Sequence, residues 1–202
     1  MARSKIFVLT CVFAYMLAGQ SPVRAQEAQA VKTKTPEIAE PPRVLGIWRS
    51  PSPEKVGKSL FMTREIQFTL SRWEETRNFA SDEAMKKSVL IFHGEGPFDL
   101  KKVDQSWALD LHATRRALNL QQSSPVLREL GASGCTLTKK KEVEISTSGC
   151  GHFPAIKACP TEFEVVELKD GKLSLGEQPG DTFNCDEKNR PQKFGVALKK
   201  VN

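Results

Sequence analysis

The chain has 202 residues, 30 of them basic and 24 acidic, with a formal charge of +6 at neutral pH. That length suits one domain or two small ones. So mild a balance excludes a dedicated nucleic-acid binder, whose electrostatic footprint is far denser. There is no Gly-rich phosphate loop, and His93, His112 and His152 show no metal-ligand spacing, so neither cofactor nor metal is expected.

Residues 1–25 read as an export signal. Arg3 and Lys5 form a positive start, Ile6 to Gly19 is apolar, and Val23-Arg24-Ala25 offers small residues where a signal peptidase cuts. The apolar run is shorter than the ~20 residues a spanning helix needs, so no transmembrane anchor is expected. Leu17-Ala18-Gly19 begins a lipoprotein cleavage box, but Gln20 stands where the lipidated cysteine would be. Losing Arg3, Lys5 and Arg24 with the signal takes the charge from +6 to about +3. The expected location is the bacterial periplasm or beyond it.

Residues 26–43 carry alternating charges, no aromatics and the prolines Pro36, Pro41 and Pro42. Such a segment buries too little apolar surface to offset its ordering entropy, and it reads as a disordered leader. The folded domain is expected over 44–202.

Within it, Leu60, Met62, Ile66, Phe68 and Leu70 share one parity, and Thr63, Glu65, Gln67 and Thr69 the other. This is the period-2 pattern of a half-buried strand. Trp107, Leu109, Leu111 and Ala113 alternate with Asp110, His112 and Thr114 in the same way. Further strands are expected over 137–145, 163–168, 173–175 and 194–198, with Asp170-Gly171 as a hairpin turn. Val89–Phe92 is a continuous apolar run, Trp73–Phe79 leaves its buried face open, and Glu95-Gly96-Pro97 reads as a turn. One short helix is expected over Val126–Leu130, with Ser124 as cap, Pro125 in the first turn and Gly131 closing it. The fold class is mainly β, antiparallel, as a sandwich or barrel.

Cys135, Cys150, Cys159 and Cys185 remain after the signal is removed. Four cysteines in an exported chain read as two disulfides with three possible connectivities. Cys135–Cys150 with Cys159–Cys185 is favoured, because each pair closes a loop between expected strands. No pair has the close spacing of a zinc site.

Gly46-Ile47-Trp48 resembles the opening signature of lipocalin barrels, in which the glycine permits close approach and the tryptophan plugs the closed end. It is followed in order by Leu60-Phe61-Met62-Thr63-Arg64, Thr161-Glu162-Phe163-Glu164, Asp170-Gly171-Lys172-Leu173-Ser174-Leu175 and Arg190-Pro191. This series resembles the domain of the adenomatosis polyposis coli down-regulated protein family, secreted or membrane-tethered Wnt antagonists with bacterial relatives. The resemblance spans Val44 to Val201. It implies a lipocalin-like antiparallel barrel, closed or partly open, with an interior suited to a lipid chain. It also implies that Cys135 and Cys150 stand where that family pairs cysteines around a strand. The animal proteins carry two such domains and an anchor, and further cysteines where 51–58 and 81–87 here have none. Wnt antagonism is not carried over.

Arg64 shares the parity of Met62 and Ile66, so a regular strand points it inward. A buried charge needs a partner, and the choices are a carboxylate, the Trp48 ring or a ligand's anionic headgroup. The apolar residues available to line a ligand site are Met62, Ile66, Phe68, Leu90, Phe92, Trp107, Leu109 and Leu111, although the same set would serve as packed core. The expected function is a monomeric, non-catalytic binding protein for a hydrophobic or amphipathic small molecule such as a lipid. A protein-interaction module with a filled core, acting on an envelope partner through its loops, is the alternative. A third reading uses Ser148-Gly149-Cys150-Gly151-His152, which resembles the nucleophile segment of L,D-transpeptidases, with His93 upstream. It makes Cys150 a thiolate nucleophile and leaves three cysteines, one of them unpaired. The clusters Lys101-Lys102, Arg115-Arg116, Lys139-Lys140-Lys141 and Lys199-Lys200 read as solvated surface.

Overall fold

A computed structural model of the protein describes residues 41–103, 106–177 and 183–201. The expected signal, and the expected leader up to residue 40, lie outside the described residues. The described chain is mainly antiparallel β with a few helical turns. Its strands are β1 (Gly46–Arg49), β2 (Glu54–Lys55), β3 (Phe61–Phe68), β4 (Trp73–Ala80), β5 (Ser88–Gly96), β6 (Phe98–Val103), β7 (Ser106–His112), β8 (Arg115–Leu120), β9 (Glu142–Glu144), β10 (Thr161–Lys169), β11 (Lys172–Leu175) and β12 (Leu198–Val201).

The expected barrel, closed or partly open, resolves to an open sheet. Its ladder runs β6-β7-β10-β11-β12-β1-β3-β4-β5-β8-β9, with β2 added to β3. The two flanks are nonetheless parts of one long hairpin. β5 pairs with β8 and β6 with β7, so the hairpin's first half borders β4 and its second half borders β10. The chain bends between the halves at Gly96-Pro97 and Ala113-Thr114, where His112 N–H donates to the Pro97 carbonyl and Thr114 N–H to that of Glu95. Continuity of the hairpin thus carries the sheet round a shared interior. Gly96-Pro97 is therefore a bend within paired strands and not the turn its composition suggests. A Cβ on Gly96 would lie 1.8 Å from the His112 carbonyl oxygen, so only glycine admits this approach.

Local sequence explains most strand ends. Asp170 and Gly171 both take positive φ, 51° and 69°, and turn β10 into β11. Gly46 has a φ of 124° and lies so close to the Lys200 side chain that a Cβ would collide with it. Trp48 beside it donates from Nε1 to the Val44 carbonyl at 2.6 Å.

Three expected elements differ. Ser124 makes no side-chain cap, and the helix is a 3-10 turn, Pro125–Arg128. Four residues close only i→i+3 bonds before Gly131 turns left-handed at φ 63°. The strand expected over 137–145 is paired only at Glu142–Glu144, with a single bridge at Lys139. The last strand is Leu198–Val201, and Phe194 makes only an isolated bridge to Gly176. Cys135–Cys150 and Cys159–Cys185 are both bonded, with Cα separations of 5.8 and 5.0 Å.

Two apolar layers fill the interior. One gathers Met62, Phe79, Leu90, Phe92 and Leu118 from one end of the strands. The segment around the Cys135–Cys150 disulfide covers that end, with Leu127 and Leu130 before it, Ile145 within the loop it closes and Phe153 after it. The other layer gathers Trp48, Ile66, Phe68, Trp73, Leu109, Leu111 and Val166. Replacing Gly96 with alanine is expected to cost at least about 2 kcal/mol in urea unfolding, because backbone must move to admit a methyl. Gly134→Ala, where no atom lies within 4 Å of the added carbon, should stay within about 0.5 kcal/mol.

Candidate functional site

Between the two apolar layers lies a layer of charge, and strand alternation puts it there. Along β3 the inward positions read Met62, Arg64, Ile66, Phe68, and along β4 they read Phe79, Arg77, Glu75, Trp73. β8 contributes Arg116 below Leu118, and β10 contributes Glu162 and Glu164 above Val166. Register then sets Arg64 opposite Arg77 and Ile66 opposite Glu75.

The charges pair diagonally and across the interior. Arg64 Nε lies 2.8 Å from Glu75 Oε1, and Arg77 Nη2 lies 2.8 Å from Glu75 Oε2. The same Arg77 nitrogen donates to Glu162 Oε1 at 3.0 Å, joining β4 to β10, which is not its neighbour in the ladder. Arg77 also lies over Phe183 at 4.6 Å and Phe92 at 5.6 Å. Arg116 donates to the Pro154 carbonyl at 2.9 Å and also lies over the Phe183 ring, at 5.0 Å.

Burial and neighbours set each protonation state. Burial opposes ionisation of Glu75, but Arg77 and Arg64 together hold its carboxyl below the ordinary value. Burial also works against the charge on Arg77, which Glu75 and Glu162 nonetheless keep far up. For Arg116 burial dominates and pulls the value down. Glu164 behaves in the opposite way to Glu75: burial first, and then the neighbouring Glu162, push it up to about 8.

A pocket of about 340 Å³ adjoins this layer. Its lining mixes the charged residues Arg64, Arg77, Glu54, Lys55 and Glu177 with the apolar residues Val56, Met62, Leu175, Val196 and Leu198. Arg64 touches Glu75 through Nε, yet its guanidinium makes no aligned hydrogen bond among the described residues.

The sequence-predicted residues are spread over several places. Arg64 and Met62 line this pocket. Ile66, Phe68, Leu109 and Leu111 pack in one apolar layer, Leu90 and Phe92 in the other. Trp107 is half-buried and borders a separate pocket with Pro42, Val166 and Leu168. The cation over Trp48 is Lys200, at 5.5 Å, while Arg64 takes a carboxylate partner. Arg116 corrects the reading of Arg115-Arg116 as surface: it is 1% exposed. The Cys150 sulfur is bonded to Cys135 and so presents no thiolate in this state. His93 instead points outward to Thr76 and Glu142. Among the described residues no group of His, Cys, Asp and Glu is placed to hold a metal ion. No protein-family model matches the chain, and no curated protein matches it.

Sequence reading missed Glu75, Arg77, Glu162 and Glu164. A signal existed for the first two, since Trp73, Glu75, Arg77 and Phe79 share a parity whose ends are large and apolar. On β10 both parities carry apolar residues, Phe163 and Val165 against Val166, so none existed there.

Folded Glu164 keeps its proton to about pH 8, whereas the ordinary value is 4.5. The native state therefore binds the extra proton between those values, and stability falls as pH rises through that window. Glu164→Gln should melt progressively higher than the wild type from about pH 5 to about pH 8, by an amount on the order of a few kcal/mol at the upper end. A gap between the two melting curves that does not change with pH would show that Glu164 ionises normally. Arg77→Met, which strands two buried carboxylates, should cost about 3–5 kcal/mol in the same assay.

Proposed function

We propose that the protein is an exported, non-catalytic binding protein that holds a hydrophobic or amphipathic small molecule in the pocket beside Arg64. The observation that carries this is the mixed lining of that pocket, in which guanidinium and other charged groups stand among aliphatic side chains. Its volume of about 340 Å³ falls at the small end of ligand sites, roughly 300–1,000 Å³. Such a site matches a molecule with a polar head and a short apolar body. The ligand then enters beside the charge layer and does not replace the packed residues of the two cores.

Export to the periplasm or beyond is part of the proposal. It is supported by the signal-like residues 1–25 and by two disulfides, which persist in oxidising compartments. No helix among the described residues is long and apolar enough to cross a membrane. Kinship with the adenomatosis polyposis coli down-regulated protein domain belongs to the same proposal. Its support is the ordered series of short motifs together with the Gly46 and Trp48 arrangement on the first strand of the chain.

Native mass spectrometry of the protein taken from its own envelope without detergent tests this reading. Extra mass that departs on denaturation as one small amphipathic molecule is the expected result. A bare chain that also fails to take up added short-chain amphiphiles would move the assignment to a protein-interaction module.

A further inference from the structure

Arg64 is a guanidinium with spare donors. Its side chain is 11% exposed, it meets Glu75 through Nε at 2.8 Å, and it lines the pocket. A planar fork of this kind, freed of other partners, is the side chain best shaped to take a carboxylate in two parallel bonds. The charge of the layer behind it points the same way. Arg64, Arg77 and Arg116 are set against Glu75 and Glu162, both held in ion pairs with Arg77. Glu164 lies beside the pocket wall, with Oε2 only 2.6 Å from where a Cβ on Gly176 would stand. It faces Glu162 on its own strand, Arg64 from β3, and Arg77 and Glu75 from β4. Arg190 holds its backbone carbonyl from outside at 2.6 Å, and Glu177 continues the wall beyond Gly176.

We propose, building on the binding-protein reading above, that the pocket takes the carboxylate of a single-chain anionic amphiphile on Arg64, and that Glu164 competes with it for the same positive charge. Among the described residues of the layer, protonated Glu164 leaves one guanidinium charge over, and a monoanion neutralises it. With Glu164 ionised, the layer is balanced from within and a second carboxylate is repelled. A dianionic phosphate head overshoots the charge available, so a carboxylate is the favoured chemistry. The aliphatic chain runs along Met62, Leu175 and Leu198. Ligand is held at neutral pH and released in alkali, with a midpoint set by the buried carboxyl at about 8.

Calorimetric titration of the mature, disulfide-bonded protein with decanoate, decanol and decyl phosphate tests this. Decanoate stays ionised throughout, since free carboxyls titrate near ~4.3. Linkage to one exclusive proton predicts decanoate binding about tenfold tighter at about pH 7 than at about pH 9. Glu164→Gln should keep the neutral-pH affinity and lose the pH dependence, and Arg64→Gln should lose decanoate while still binding decanol. If Arg64→Gln does not fold, the Glu164→Gln comparison decides alone. Equal, pH-independent binding of decanoate and decanol overturns the headgroup site and leaves the binding-protein reading standing. Tighter binding of decyl phosphate overturns the carboxylate assignment. If none of the three binds, the binding-protein reading falls, and this site with it.

Discussion

The Arg77 guanidinium meets Glu75 on its own strand and Glu162 on β10, across the interior. The ladder itself is open, so nothing in its hydrogen bonding joins β4 to β10. The ion pair and the bent hairpin of β5 to β8 together bring these two walls to a fixed separation. A charge buried this deeply is costly unless its partners are present and correctly aimed. The strands must therefore hold one register, because a slip by one residue would turn Arg77 and both carboxylates to the wrong face.

That constraint orders what lies above and below. The charged layer separates an apolar layer built on Phe79, Phe92 and Phe153 from one built on Trp48, Phe68 and Trp73. The rings in the first layer stack and meet edge-on at 5.3 to 6.1 Å, as a filled core does. With the interior packed on both sides, one space opens where the polar layer reaches the sheet wall beside β2, β11 and β12. The pocket lies there, and its mixed lining follows from that position.

The outer face repeats the arrangement with a different purpose. Arg190 donates to Asp110 at 2.6 Å and to the Glu164 carbonyl at 2.6 Å, and lies 5.1 Å over Phe163. The Cys159–Cys185 bond ties the same segment to the start of β10. The strand that carries Glu162 and Glu164 inward is thus braced from outside, and the two buried carboxyls keep their places although both disfavour burial.

Much of the fold was legible in the chain. The parity of Met62, Ile66 and Phe68 places Arg64 inward, Asp170-Gly171 specifies its turn, and the placing of the cysteines about expected strands favours the pairing observed. These are local properties, carried by period, turn chemistry and chain separation. The partners of Arg64 and Arg77 are not local: Glu162 lies 85 positions from Arg77, and β10 reads equally well with either face buried. The helical turn after Ser124 is shorter than its flanking residues suggested, and Ser124 makes no side-chain cap there. Local periodicity therefore determined which residues face inward on most strands. Only the curling of the open sheet round its interior decided which inward charges meet, because Coulomb pairing depends on distance across space and not along the chain.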